Sequence, residues 1–178
     1  EHVANMLNAM NRTIPVINAG SGKDQHPTQA LLDIYTLYRS FSDPQTSRTE
    51  PRYTRNVFAG KTIAFVGDLK RGRTVRSLAY LLCRYPGVRL EFVSPAELRI
   101  GDDIMEYLSR HGVEFELIDD LRKNLPEYDA IYMTRLQDEH DVDGESKKID
   151  YYKYSLTYEM APMFKPGLAI MHPLPRRH

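Results

Sequence analysis

Hydrophobic residues in this chain fall into short runs separated by polar stretches, and the runs alternate between two periods. From Lys61 onward the alternation is regular. "KTIAFVGD" (Lys61–Asp68) reads as a buried strand, and "GRTVRSLAYLLCRY" (Gly72–Tyr85) as a helix with Val75, Leu78, Ala79 and Leu82 on one face. "VRLEFV" and "VEFELI" (Val88–Val93, Val113–Ile118) read as strands with a helix between them, around Asp102 to His111. "DAIYMT" (Asp129–Thr134) is another strand, and a polar, tyrosine-rich stretch follows from Gln137 to Tyr158. "GLAIMHPLP" (Gly167–Pro175) supplies a last strand. Upstream, Val3, Met6, Leu7 and Met10 predict a short helix, and "IPVINA" (Ile14–Ala19) a buried strand. A helix starting at His26 carries Leu31, Ile34, Tyr35, Tyr38 and Phe41 as one apolar stripe. Ser40 to Arg55, rich in Ser, Thr, Pro and Arg, reads as a linker or insertion.

Strands alternating with helices imply βαβ units: an α/β fold with a Rossmann-like parallel sheet and helices on both faces. Ligands in such folds bind beyond the carboxyl ends of the strands. The positions to inspect therefore follow Ala19, Val66, Met133 and Met171.

Composition narrows the function without choosing it. With 178 residues, 42% apolar and 27% charged, the chain has the make-up of a soluble globular protein of one large domain or parts of two. Twenty-four basic and 24 acidic side chains balance, so no global attraction to nucleic acid or an acidic membrane is indicated. No apolar run approaches the roughly 20 residues that span a bilayer. Cys83, the only cysteine, excludes an intrachain disulfide and fits a reducing cytosol; within its helix it reads as packing. No signal peptide opens the chain. A start at Glu1 inside a helix, and an end at "PRRH" just past a strand, read as a fragment of a longer protein.

Each strand end offers a chemical group. In "SGKDQHPTQALLD" (Ser21–Asp33), Pro27 suits the first position of a helix. That makes His26 the cap and Gln29 the third helical residue, both able to reach the space before the helix. This end carries partial positive charge and unpaired N–H groups, and its field favours neutral imidazole, a hydrogen-bond donor. Simple capping is the competing explanation. In "VGDLKRGRTVRS" (Val66–Ser77), Lys70, Arg71, Arg73 and Arg76 crowd the start of a helix, against its dipole. An anionic ligand would relieve that conflict, and a guanidinium grips a carboxylate in bidentate fashion. A solvated basic face is one alternative; a nucleic-acid patch is another, weakened by the neutral net charge and the absence of interleaved aromatics. No G-x-G-x-x-G accompanies the strand, so a dinucleotide site is disfavoured. In "MTRLQDEH" (Met133–His140), Arg135 and Gln137 could read a carboxylate and a neighbouring amine, or lie in an exposed loop. In "MHPLPRRH" (Met171–His178), two prolines leave the carbonyls of Pro173 and Leu174 available to a ligand NH2, and a cis Leu174–Pro175 bond would suit the turn.

His-Pro-Thr-Gln, Gly-Arg-Thr, Thr-Arg-x-Gln and His-Pro-Leu-Pro occur here in that order. Together they resemble the aspartate carbamoyltransferase family, whose catalytic chains make N-carbamoyl-L-aspartate in pyrimidine synthesis. Each motif alone is weak; four in order are specific, and the likeness covers nearly the whole chain outside Ser40–Arg55. The resemblance implies that His26 bonds the carbonyl oxygen of carbamoyl phosphate and Gln29 its amide. Arg73 would bind one carboxylate of aspartate, with Lys70 and Thr74 shaping the pocket. Arg135 would bind the other, with Gln137 beside the amine. The backbone of Pro173, Leu174 and Pro175 would hold the carbamoyl NH2 and the attacking amine. Neither metal nor cofactor is implied.

In these terms residues 1–41 are the end of a carbamoyl-phosphate domain with its linking helix, 42–55 a flexible linker or insertion, and 56–178 most of an aspartate domain. The family's Ser-Thr-Arg-Thr phosphate grip and Arg-His-Pro segment would precede Glu1. The Ser/Lys loop donated by a neighbouring subunit is missing too, and the C-terminal helix would follow His178. The 178 residues alone are therefore expected to be inactive. The family's Arg-x-Gln-x-Glu-Arg pattern ends here in His140, a departure that bears on loop closure over aspartate. The implied parent is a cytoplasmic homotrimer with shared active sites, open to a regulatory chain or a fused multienzyme partner. Ornithine carbamoyltransferase is the nearest rival. It carries His-Cys-Leu-Pro in place of His172–Pro175 and a Ser-Met-Gly motif that this chain lacks. A nucleotide-binding Rossmann domain and a non-catalytic homologue are the other readings.

Overall fold

The computed structural model describes residues 2–11, 15, 17–22, 24–42, 56–135 and 149–174. Helix α1 (His2–Ala9) and helix α2 (Pro27–Phe41) precede strand β1 (Thr62–Val66). Then come α3 (Arg73–Leu82), β2 (Arg89–Val93), α4 (Asp102–Arg110), β3 (Glu114–Ile118), β4 (Ala130–Met133) and β5 (Ala169–Met171). Five strands pair in parallel in the order β3-β2-β1-β4-β5. The chain moves from β1 outward to β3, then returns to the far side of β1. The order reverses between β1 and β4, which creates a crevice beyond their carboxyl ends.

The three inner strands, β1, β2 and β4, are buried almost throughout because both of their faces are covered, whereas edge strand β3 turns Glu114 and Glu116 outward and Ile170 on β5 is exposed. Ile63, Phe65, Leu90, Phe92, Ala130 and Tyr132 point toward α2, α3 and α4, where they join Leu37, Val75, Leu78, Leu82, Ile104 and Leu108. The alternate residues Ala64, Val66, Val93 and Ile131 point the other way, to Leu121, Leu125, Tyr128, Tyr154 and Met160. Short 3-10 turns cover that second face, among them Leu121–Lys123, Tyr151–Tyr154 and Tyr158–Met163. The tyrosine-rich stretch thus sends Tyr154 into the core, and Met160 follows just beyond it. Two buried carboxylates are also built in. Glu91 accepts from the Tyr128 hydroxyl at 2.8 Å and from Asn124 Nδ2 at 2.9 Å. Asp129 accepts from the Thr62 N–H at 3.0 Å and pairs with Lys61 and Lys165.

Three expectations upstream of β1 change. The run Ile14–Ala19 is not a buried strand where it is described: Ile17 and Asn18 join no sheet, and Ile17 is 82% exposed. A strand persists only where a neighbouring backbone takes its hydrogen bonds. The pairing among the described residues here is a single bridge, Ser21 to Gln25, which closes a tight loop. The apolar stripe of α2 is also displaced. Leu31 and Tyr35 are about three-fifths exposed, while Ala30, Asp33 and Leu37 are buried and Ile34, Tyr38 and Phe41 pack beside them. Finally, Ser40 belongs to α2, its hydroxyl donating to the Thr36 carbonyl, and not to the connection. Residues 43–55 of the expected linker lie outside the described residues.

Candidate functional site

Loop 18–26 and the start of α2 pack against α3, which brings the first two motifs together. Pro27 occupies the first turn of α2 and His26 is its N-cap. His26 Nδ1 accepts from the Gln29 N–H at 3.4 Å, and its own backbone N–H donates to Ser77 Oγ at 2.9 Å. Ser77, buried on α3, donates its hydroxyl proton to Gln25 Oε1 at 2.9 Å. Capping and ligand binding are therefore not exclusive. With Nδ1 engaged as an acceptor, the proton of the neutral ring sits on Nε2, which is left as a donor.

Gln29 is tethered within its own helix by one end of its amide. Its Nε2 donates back along α2 to Asp33 Oδ1 at 3.0 Å. Asp33 is 5% exposed and also accepts from the Tyr132 hydroxyl at 2.7 Å. Tyr132, on β4, is hydrogen-bonded to Thr74 at the start of α3. Burial pushes the Asp33 carboxyl up, opposed by the bonds from Tyr132 and Gln29 and by the proximity of His26. Burial, helped by the Asp33 charge, pushes the Tyr132 hydroxyl well above the usual phenol range, so it stays a neutral donor. A polar chain thus runs Gln29–Asp33–Tyr132–Thr74 through the apolar core.

The cluster of cations resolves into separate roles. Arg71 pairs with buried Asp68 at 3.3 Å, and Arg76 pairs with Asp103 on α4. Two of the four cations are therefore structural, which answers much of the expected conflict at the α3 N-terminus. Lys70 is exposed. Arg73 is half-buried, and its guanidinium donates to the Gly22 carbonyl at 2.7 Å. The loop approaches it so closely that a Cβ on Gly20 would lie 3.2 Å from Arg73 Nη1. That one bond leaves most of the guanidinium's five donors for other partners.

The third motif closes the crevice. Thr134 donates through both its N–H and its hydroxyl to the Val66 carbonyl, at 2.8 and 2.9 Å. Gly67 has φ 115°, and a Cβ there would fall 2.6 Å from Thr134 Oγ1, so only glycine lets β1 and β4 end side by side. Arg135, half-buried, follows directly. In the fourth motif Leu174 is exposed and left-handed, φ 53°, a conformation that costs a non-glycine residue about 1–2 kcal/mol. Its N–H donates to His172 Nδ1 at 2.8 Å, which holds the turn. Pro173 is half-buried. Gln137, Pro175 and the Leu174–Pro175 bond lie outside the described residues.

The sequence reading missed Gln25, Asp33, Ser77 and Tyr132. Asp33 stands four residues after Gln29, one turn along the same helical face, and that spacing was the available signal. No group of three or more His, Cys, Asp or Glu able to hold a metal ion occurs among the described residues. No helix among them is long and apolar enough to cross a membrane.

Residues 59–178 match the family model described as aspartate/ornithine carbamoyltransferase, Asp/Orn binding domain. Residues 1–39 match its carbamoyl-P binding domain. The chain is 42% identical, over 92% of its length, to the aspartate carbamoyltransferase catalytic subunit of Chromobacterium violaceum. It superposes with a TM-score of 0.75 and 39% identity on the catalytic subunit of M. jannaschii aspartate transcarbamoylase, covering 97% of this chain. It also resembles the Trypanosoma cruzi enzyme in complex with carbamoyl aspartate and phosphate, with a TM-score of 0.78, 30% identity and 98% coverage. The chain spans about half the length of these relatives: 49%, 51% and 52% respectively.

Proposed function

Because the chain belongs to the aspartate/ornithine carbamoyltransferase family, we propose that the full-length protein carrying it transfers the carbamoyl group of carbamoyl phosphate to L-aspartate. The products are N-carbamoyl-L-aspartate and phosphate, a step of pyrimidine synthesis. The observation that carries this reading is the crevice between β1 and β4. Arg73 stands beyond β1 and Arg135 beyond β4, and the loop that meets Arg73 leads directly to His26. Two guanidiniums match the two carboxylates of aspartate, whereas the side-chain ammonium of ornithine would face like charge.

The chemistry needs little beyond donors and placement. The aspartate amine attacks the carbamoyl carbon; a C–N bond forms and the carbonyl oxygen becomes an oxyanion. The bond to the phosphate oxygen then breaks, and the amine's surplus proton leaves with phosphate. His26 Nε2–H serves the oxyanion, a role worth about 3–4 kcal/mol for a preorganised donor. Gln29 holds the carbamoyl NH2. Arg73 takes one aspartate carboxylate, with Lys70 and Thr74 beside it, and Arg135 takes the other, with Gln137 at the amine. The carbonyls of Pro173, Leu174 and Pro175 accept from the two NH groups, and the strained Leu174 backbone supports a binding role there. Holding both substrates in register lowers the barrier further.

In this proposal residues 1–41 end the carbamoyl-phosphate domain, 42–55 connect, and 56–178 form the aspartate domain. A homotrimer with shared active sites, a regulatory or fused partner chain and a cytoplasmic location belong to the same proposal. Arg73→Ala or Arg135→Ala in the full-length protein is expected to raise the aspartate KM or lower kcat by at least about tenfold while leaving carbamoyl phosphate binding near normal. Unchanged aspartate kinetics in both variants would contradict the two-arginine reading.

A further inference from the structure

We propose that buried Asp33 is a positioning residue that fixes which way the Gln29 amide faces, and so makes the site select a carbamoyl NH2 over a group of the same shape without donors. The inference rests on the carbamoyl-transfer reading above and extends it to a residue that touches no substrate.

An ionised carboxylate only accepts hydrogen bonds. Asp33 Oδ1 lies 3.0 Å from Gln29 Nε2, and Oδ2 accepts from the Tyr132 hydroxyl at 2.7 Å. Both carboxylate oxygens therefore meet donors, and Gln29 is obliged to turn its NH2 inward. Its Oε1 is then the end left for ligand. That is the end a carbamoyl group needs: its NH2 requires an acceptor, while its C=O requires a donor, which His26 Nε2–H supplies. A free glutamine side chain would rotate and offer either end, so it could not tell the two halves of the carbamoyl group apart. Tyr132 and Thr74 hold Asp33 from the opposite side, and Leu37, Phe65 and Ala130 belong to the apolar core around this chain of bonds.

The geometry allows the polarity of the link to be reversed by isosteric substitutions. In Asp33→Asn, the amide oxygen still accepts from Tyr132, but the new NH2 faces Gln29 and demands an acceptor. Gln29 turns over and presents its own NH2 to the substrate. In the double variant Asp33→Asn with Gln29→Glu, the amide introduced at position 33 donates to one oxygen of the new carboxylate. The other oxygen again accepts from the carbamoyl NH2.

The test uses the full-length protein and two ligands: carbamoyl phosphate as substrate and acetyl phosphate, with a methyl in place of the amine, as competing inhibitor. The wild type is expected to favour carbamoyl phosphate. Asp33→Asn should raise the carbamoyl phosphate KM by about tenfold or more, with the acetyl phosphate inhibition constant unchanged. Gln29→Glu alone should lose the preference as well, since two carboxylates would then face each other. The double variant should recover it. A merely structural Asp33 would weaken both ligands together and would show no recovery in the double variant; that result overturns the proposal. If Asp33→Asn does not fold, the double variant alone decides: recovered preference supports the link, lost preference refutes it. Absence of carbamoyl transfer by the wild type is a separate outcome, and it strikes the parent reading first.

Discussion

At Asp129 one carboxylate on the threshold of β4 holds two lysines and a backbone amide, with its side chain almost wholly buried. Burial by itself would raise its pKa. The bonds from Lys165, from the Thr62 N–H and from Lys61 outweigh that and hold the carboxyl below its ordinary value of 3.8. A carboxylate lowered by folding stabilises the folded state above its unfolded pKa, and the contribution disappears as pH falls through the folded value. The full-length protein should therefore lose melting temperature as the pH drops below about 4. Asp129→Asn should be less stable at neutral pH and should converge on the wild type in acid. Parallel melting curves at every pH would show that Asp129 carries no linked proton. Residues of this kind are hard to see beforehand. Asp33 and Glu91 sit in apolar surroundings, where alternation of polar and apolar types assigns them to solvent, and only the positions of Tyr132 and Tyr128 reveal why they are tolerated.

Among the elements, α2 and α3 bring the first two motifs together, and Ser77 is the point at which they lock. Its hydroxyl accepts from the His26 N–H and donates to Gln25, each at 2.9 Å. Ser77→Ala would leave the His26 amide without that acceptor in a half-buried position. The expected cost is about 1–3 kcal/mol in denaturant unfolding. A loss within about 0.5 kcal/mol would mean that the loop readily finds another acceptor. The inner strands β1, β2 and β4 were legible in the sequence because each is a short apolar run closed on both faces, and edge strand β3 because its polar and apolar residues alternate. Ile14–Ala19 has a similar composition and misled for that reason: of its described residues, Ile17 is exposed and joins no strand. Helix α2 misled differently. Apolar side chains occupy more than one of its faces, so Leu31 and Tyr35 matched a stripe as well as Leu37 did, and the phase was decided by contact with α3 and the sheet.

On the scale of the molecule, the strand order decides where chemistry can occur. Reversal between β1 and β4 opens one crevice, Gly67 lets its two walls meet, and Arg73 and Arg135 stand at its rim. The four short motifs were visible separately because each stands in a polar stretch next to an apolar run. The contact of the first two, and the coupling of Gln29 to Thr74 through the core, depend on side-chain geometry that spacing does not encode. In the proposed reaction this crevice receives a dicarboxylic amino acid beside a carbamoyl donor. The most direct measurement offers the full-length protein carbamoyl phosphate with aspartate and with ornithine in parallel, and follows the carbamoylated product of each. Product is expected from aspartate and none above background from ornithine. Product from ornithine, or from neither, would contradict the proposed reaction.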